Sequence, residues 1–170
     1  MARPPAPTLE IVVTKSDNTL TLTETIGTSR TVLLTARVVS GCEDAGTPVG
    51  SYNGGKWIKD KTNPAHGPTP WSKDPWRNPY GPYFLPLNDG KTGKYTTYGI
   101  HGTRGPRIGN FEKPPLPEGI LRFFIGDDNA TKYLYCSHGC VRLSNHNISA
   151  LYDITVQSKY VGVVISVIIK

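Results

Sequence analysis

The amino-acid sequence predicts a mostly β domain, and its glycine and proline content is the first reason. Eighteen glycines and fifteen prolines among 170 residues require many turns and long loops, which favour a β-rich domain over a helical bundle. At this length the chain fits one ordinary domain with its own core. We find no internal repeat and no second domain.

Alternating apolar and polar residues are the second reason, because half-buried strands show this pattern. It appears in residues 9–13 and again in residues 19–23, with the hairpin signal Asp17-Asn18 between them. Residues 31–39 are rich in β-branched side chains and predict a third strand.

The rest of the chain is less regular. Residues 43–82, which hold all three tryptophans, predict strand fragments linked by long loops. Four further strands are predicted, at residues 95–100, 121–125, 132–135 and, as a central strand, 161–169.

One short helix is predicted after Ser144, which can cap its first turn. Ile148, Leu151 and Tyr152 would form its apolar face, since they recur at helical spacing.

Charge and hydropathy restrict the partners. The net charge is +6, which attracts polyanions in general. No basic run or nucleic-acid motif accompanies it, so we expect no nucleic-acid partner. The most apolar stretch, residues 161–169, is about half of what a membrane-spanning helix needs, so we expect no span. Residues 1–8 lack the apolar core of a secretory signal and are expected to be a disordered segment before a domain at 9–170.

The segment around Cys140 carries the chemistry. If residues 137–143 are extended, His138, Cys140 and Arg142 share one face while the residues between them point into the core. Two basic neighbours favour the thiolate, which is the nucleophilic form. Gly139 allows a carbonyl to approach the backbone, where N–H groups can stabilise an oxyanion, and Arg142 can bind a carboxylate.

Other interpretations of these residues exist. A cysteine in a strand is often only a small buried hydrophobe. Cys136, His138, Cys140 and His146 could also suggest zinc. However, ligands at alternate positions of one strand form a row rather than a tetrahedron, so we predict neither a metal nor a cofactor.

The segment Ser137-His138-Gly139-Cys140-Val141-Arg142-Leu143-Ser144-Asn145 closely resembles the active-site signature of the L,D-transpeptidase catalytic domain, the YkuD-like family. Residues 46–52, 78–82 and 98–103 resemble its early turn, its NP-x-G segment and its upstream histidine segment, in the same order. Together these pieces cover most of residues 9–170.

The resemblance implies a YkuD-like fold of two mixed β-sheets packed in a sandwich with a short helix. It also implies a cysteine that acylates on the third residue of a peptidoglycan tetrapeptide stem and releases D-alanine. Transfer to an amine then gives a 3–3 cross-link or D-amino-acid exchange, and transfer to water gives L,D-carboxypeptidase activity. Carbapenem-type β-lactams are expected to acylate the same thiol.

Roles follow from the resemblance by position. Cys140 is the nucleophile, His101 the general base, and the carbonyl of Gly102 orients that histidine. His138 and Ser137 support the site, and Gly139 supplies an oxyanion N–H with Cys140. The predicted substrate contacts are Arg142, Tyr98, Thr103 and Asn145. The residues alone do not decide between His101 and His138 as base, and the resemblance favours His101.

Several alternatives stay open. Three cysteines leave at least one unpaired, and either a Cys42–Cys136 or a Cys136–Cys140 disulfide fits the sequence. The stretch 104–136 is longer than the family usually has. We expect a monomer in the bacterial cell envelope, reached by a signal absent from this sequence or by another export route. Alternative functions are an exchange-type toxin effector, a cysteine endopeptidase of the wall and a non-catalytic wall-binding module.

Overall fold

A curled β-sheet forms most of the structure. The computed structural model describes residues 5–41, 46–61, 78–103, 137 and 139–170. Within these ranges nine strands join one sheet, accompanied by one α-helix and one short 3₁₀ turn. The mostly β prediction is confirmed.

The N-terminal strands form an antiparallel meander of β1 (Thr8–Thr14), β2 (Thr19–Ile26) and β3 (Ser29–Arg37). Every second residue of β1, starting at Leu9, is fully buried. The first hairpin turns at Asn18, whose φ of 51° is a left-handed conformation that asparagine tolerates. All three predicted strands and the hairpin are therefore confirmed.

In the middle of the chain, three strands pair with a fourth, β6 (Tyr83–Asp89). This strand has β7 (Tyr95–His101) on one edge, and β4 (Gly50–Gly54) and β5 (Ile58–Lys59) follow one another along its other edge. The sequence prediction missed β6 because Pro86 interrupts its apolar run, and proline lowers the expectation of a central strand. The structure accommodates this proline where the register with β7 shifts.

The last strand, β9 (Ile165–Ile169), lies in the middle of the sheet, parallel to β1 and antiparallel to β4. Its central position was predicted, but its predicted start at Val161 was wrong. The chain turns at Gly162, whose φ of 80° suits glycine, and only then becomes extended.

The two ends of the sheet meet, so that the sheet curls. The strand order is β3-β2-β1-β9-β4-β6-β7-β8, and β8 (Val141–Arg142) runs parallel to β7. Val39, just beyond β3, exchanges two backbone hydrogen bonds of 2.9 and 2.8 Å with Arg142 of β8. The two packed sheets that the resemblance implied are thus one continuous sheet among the described strands.

Helix α1 (Asn145–Thr155) packs on this sheet as predicted. The Ser144 hydroxyl caps it by accepting a 3.0 Å hydrogen bond from the Asn147 backbone N–H. Ile148 and Leu151 are fully buried in the same apolar cluster as residues from β1, β2, β4, β6, β7, β8 and β9. Among the described residues, none of the helices has the length and apolar character of a membrane-spanning segment.

Some predictions fall outside the described residues. These are the strands at 121–125 and 132–135, the character of the 104–136 stretch, and residues 62–77 of the predicted irregular stretch 43–82. The disorder predicted for residues 1–8 concerns a segment of which only 5–8 are described, and β1 already begins at Thr8.

Candidate active site

The register of β7 and β8 brings His101 and Arg142 to one face of the sheet. Ile100 of β7 is the Cα partner of Val141 of β8, and His101 is the partner of Arg142. Ile100 and Val141 are both fully buried in the core. Because side chains alternate along strands, His101 and Arg142 lie on the opposite face of the sheet.

The thiol of Cys140 stands just before β8 on a short turn. It is free and half-buried. Gly139 has a φ of 100°, which favours glycine, so the chain becomes extended only from Val141. The prediction of an extended segment over 137–143 is therefore wrong in its first part. Val141 and Leu143 point into the core as predicted.

Ser137 holds this turn in place. Its backbone N–H donates to the Ser40 carbonyl at 3.0 Å, and its hydroxyl donates to the carbonyl of Cys140. The residue that carries the thiol is thereby tied to the chain beyond β3. His138 lies outside the described residues.

His101 has a defined tautomer. Its Nδ1 lies 2.7 Å from the carbonyl oxygen of Gly102. A carbonyl only accepts hydrogen bonds, so Nδ1 carries the proton and donates it. Nε2 is then the unprotonated nitrogen, with a lone pair that can accept a proton.

His101 is also neutral at physiological pH. The residue is only 5% exposed, and burial together with the positive charges of Arg142 and Lys61 lowers the pKa of its imidazole to about 3. The hydrogen bond to Gly102 opposes this shift without reversing it.

Burial also raises the pKa of the Cys140 thiol above its ordinary value. A backbone hydrogen bond from Gly99 and the charges of Lys61 and Arg142 act in the opposite direction, but burial outweighs them. Of the two basic neighbours predicted to favour the thiolate, Arg142 acts in that direction, and His138 lies outside the described residues. The resting pair is a neutral thiol and a neutral imidazole.

Two aromatic rings fix the imidazole. Phe84, the partner of His101 across β6 and β7, stacks on it with a centroid distance of 5.7 Å and an interplanar angle of 14°. Tyr80 meets it edge-on at 5.2 Å and 86°. A Cβ on Gly99 would lie 2.2 Å from the Phe84 ring, so that position has room only for glycine.

Lys61 adds a cation to this group. Its Nζ lies 3.6 Å from the ring centroid of Phe84 and 5.1 Å from that of Tyr80. No role was predicted from the sequence for Lys61, Phe84 or Tyr80. The resemblance of residues 78–82 was a signal for Tyr80, whereas an isolated lysine and an isolated phenylalanine offered none.

The turn after β7 is clamped by a side chain from α1. Asn145 accepts a 2.8 Å hydrogen bond from the Thr103 N–H and donates a 3.1 Å bond to the Thr103 carbonyl. A Cβ on Gly102 would lie 2.3 Å from Asn145 Oδ1, and one on Gly81 would lie 2.5 Å from the same atom. These close approaches hold Gly102, and with it the orienting carbonyl, in position.

Three of the predicted substrate contacts have partners within the protein, and their contact with substrate stays a prediction. Asn145 and Thr103 are 9% and 2% exposed and bind one another, so they position the histidine segment. Tyr98 packs against the core on the face opposite to His101, because it lies an odd number of positions before it. Arg142 stays on the face of His101, where its charge affects both His101 and Cys140.

Metal and disulfide predictions are not tested by this part of the chain. The described residues contain no group of three or more histidine, cysteine, aspartate or glutamate side chains that could hold a metal. The described residues do not include Cys42, Cys136 or His138. The zinc and disulfide alternatives therefore stay open.

The family model of the L,D-transpeptidase catalytic domain (YkuD) matches residues 9–168. The chain belongs to this family. No curated protein matches the sequence. Among solved structures, this YkuD chain is similar to the helical cell shape determining protein Pgp2 from Campylobacter jejuni, with a TM-score of 0.59 and 16% identity over 99% of this chain and 49% of that one.

It is also similar to an L,D-transpeptidase from Enterococcus faecium, with a TM-score of 0.54 and 18% identity over 96% of this chain and 50% of that one. A third similar structure is Bd1075 from Bdellovibrio bacteriovorus, with a TM-score of 0.53 and 18% identity over 95% and 47% of the two chains. At these identities the likeness concerns the fold alone. The YkuD chain spans about half the length of each of these proteins.

Proposed function

We propose that this YkuD chain is a peptidoglycan L,D-transpeptidase with Cys140 as nucleophile and His101 as general base. The observation that carries the proposal is the Nδ1–Gly102 hydrogen bond of 2.7 Å, which leaves Nε2 of a buried, neutral imidazole as proton acceptor. His101 ends β7, and Cys140 stands directly before β8, the strand that pairs with β7.

The first step starts from neutral groups. As the carbonyl of the third stem residue reaches the thiol, Nε2 of His101 takes the thiol proton while Sγ forms its bond to the carbonyl carbon. The backbone N–H groups of Gly139 and Cys140 stabilise the oxyanion. A pKa of about 3 for the imidazole makes it a weak base at rest, so proton transfer accompanies attack rather than preceding it.

The intermediate then collapses to a thioester. The imidazolium returns its proton to the nitrogen of the departing D-alanine, and the C–N bond breaks. An amine of a second stem attacks the thioester, Nε2 takes its proton, and that proton goes to the departing sulfur. Water in place of the amine gives L,D-carboxypeptidase activity from the same residues.

Positive charge near the thiol supports an acidic substrate. Arg142 and Lys61 both act electrostatically on Cys140, and stem peptides carry carboxylates. An enzyme with this substrate would work in the bacterial cell envelope. The relative Pgp2, described as a cell shape determining protein, agrees with such a location.

The direct test is mass spectrometry of a purified disaccharide-tetrapeptide incubated with the wild-type protein and with Cys140→Ala. We expect loss of one alanine, or a dimer formed with such a loss, in the wild type only. The ratio of these two products measures how often an amine outcompetes water. Cleavage inside the stem, with the terminal alanine retained, would instead indicate a cysteine endopeptidase.

A pair of histidine variants identifies the base. We expect His101→Asn to abolish acylation by a carbapenem, measured as an adduct in the intact-protein mass, and His138→Asn to retain it. Adduct formation at the wild-type rate in His101→Asn would refute the assignment of His101. Absence of an adduct on the wild type would refute the assignment of Cys140 as nucleophile.

A further inference from the structure

A second cluster of aromatic rings, formed by Trp57, Tyr83 and Tyr152, lies beside Lys59 of the short strand β5. The rings of Tyr83 and Tyr152 stack at 4.1 Å and 9°, and Trp57 meets Tyr152 edge-on at 5.5 Å and 85°. Tyr83 precedes Phe84 in β6, so it projects from the face opposite to the His101 group. This cluster is therefore separate from the catalytic cysteine.

Two members of this cluster, Trp57 and Tyr152, and the adjacent Lys59 line an open groove of about 440 Å³. Trp57 and Tyr152 line it together with apolar side chains that include Val163, while Lys56 and Lys59 stand at its rim. A volume of this size lies within the range of small-ligand sites.

A hydrogen bond fixes the indole ring of the groove, and two lysines give its open side a positive charge. The indole N–H of Trp57 donates to the Thr155 hydroxyl at 3.0 Å, which locks the ring. Lys59 Nζ lies 5.0 Å from the Tyr152 ring centroid, and both rim lysines are exposed. A hydrogen bond with Tyr152 is the main reason that the pKa of Lys59 is raised, and Asp153 contributes less; no described carboxylate forms an ion pair with either lysine.

We propose that this groove binds a carboxylated amino-sugar strand, the glycan of the bacterial wall. Trp57 and Tyr152 offer an apolar aromatic surface for the C–H face of a sugar ring, and the indole N–H of Trp57 already has its partner within the protein. The two ammonium groups at the rim provide complementary charge for the carboxylate of such a sugar, and the chain as a whole carries +6. The choice of wall glycan as occupant rests on the function proposed above.

The location suits a holding site. A glycan bound on the opposite face of β6 leaves the Cys140 face open to a stem peptide. Holding the polymer raises the effective concentration of its stems near the thiol without adding any contact there.

The test measures binding of glycan strands from which all stem peptides have been removed, by isothermal titration calorimetry with the full chain. Chitin oligosaccharides, which share the sugar linkage but lack carboxylates, are the ligand control. We expect the stripped glycan to bind and Lys56→Gln/Lys59→Gln to weaken it by about tenfold or more. The double variant Lys91→Gln/Lys94→Gln removes the same charge from another exposed turn and should bind as the wild type does.

Three results would overturn the inference: no binding of the stripped glycan, equal weakening in both double variants, or equal affinity for chitin oligosaccharides. Turnover of a soluble disaccharide-tetrapeptide by the wild type is scored separately. Turnover without glycan binding would refute the proposal that the groove binds glycan, and it would leave the proposed function intact. Glycan binding without turnover would refute the proposed reaction and leave the groove as a wall-binding site.

Discussion

The neutral state of His101 predicts how the stability of the protein depends on pH. The pKa of His101 is about 3 in the folded protein, against 6.5 for an ordinary histidine. Between these values the unfolded chain binds a proton at residue 101 that the folded chain does not. Unfolding is therefore favoured as the pH falls, and the contribution of the neutral imidazole is complete only above the unfolded pKa.

The size of this effect follows from the two pKa values. Lowering the pH from about 7.5 to about 5 should remove about 2 kcal/mol from the unfolding free energy through this residue alone. The full loss, reached below the folded pKa, is about 5 kcal/mol. Asparagine at this position keeps an N–H that can donate to Gly102 but does not titrate, so His101→Asn should lack this pH-dependent part.

The assay is urea unfolding of the wild type and of His101→Asn at both pH values. Packing lost against Phe84 and Tyr80 lowers the stability of the variant equally at both, and all other titrating groups are shared, so these contributions cancel. We expect the wild type to lose about 2 kcal/mol more than the variant. Parallel losses in the two proteins would refute the neutral, buried imidazole.

Three further predictions concern the thiol and the clamped turn. Alkylation of Cys140 by iodoacetamide should keep rising with pH through about pH 9, because burial raises the pKa of its thiol above the ordinary value near 9. Gly81→Ala should destabilise the protein by about 2 kcal/mol more than Gly93→Ala, since both glycines have φ near 68° but only at Gly81 would the new Cβ meet other atoms. Asn145→Ala should cost about 2–5 kcal/mol and slow acyl transfer, because it leaves the buried N–H and carbonyl of Thr103 without this partner.

Each of these has a specific readout. Mass spectrometry of the digested protein separates the alkylation of Cys140 from that of the other cysteines, and a rate that levels off near neutral pH would contradict the raised pKa. Urea unfolding compares the two glycine variants, and equal losses would mean that the turn relaxes around a methyl group. The control for Asn145→Ala is His146→Ala, which changes an exposed neighbour. Equal losses of stability and activity in both variants would mean that the Asn145–Thr103 hydrogen bonds do not have the proposed effect.

Much of the architecture was readable from local patterns. The alternation in residues 9–13 and 19–23, the Asp17-Asn18 turn and the Ser144 cap each depend on neighbours in the chain, and all of them are present in the structure. The burial of Val141 and Leu143 follows from the same kind of pattern.

Contacts between distant segments decided the rest. β6 is a strand in spite of Pro86 because three other strands supply partners along its edges. The sheet curls because Val39 pairs with Arg142, more than half the chain away.

The chemistry of the site divides in the same way. The sequence alone determined which residue types stand around Cys140, and hence that a thiol, an imidazole and basic groups are available. Only the tertiary structure decided their protonation states, because the burial that lowers the pKa of His101 and raises that of Cys140 depends on segments that are distant in the chain. Desolvation depends on everything that surrounds a group, whereas a sequence motif records only its neighbours along the chain.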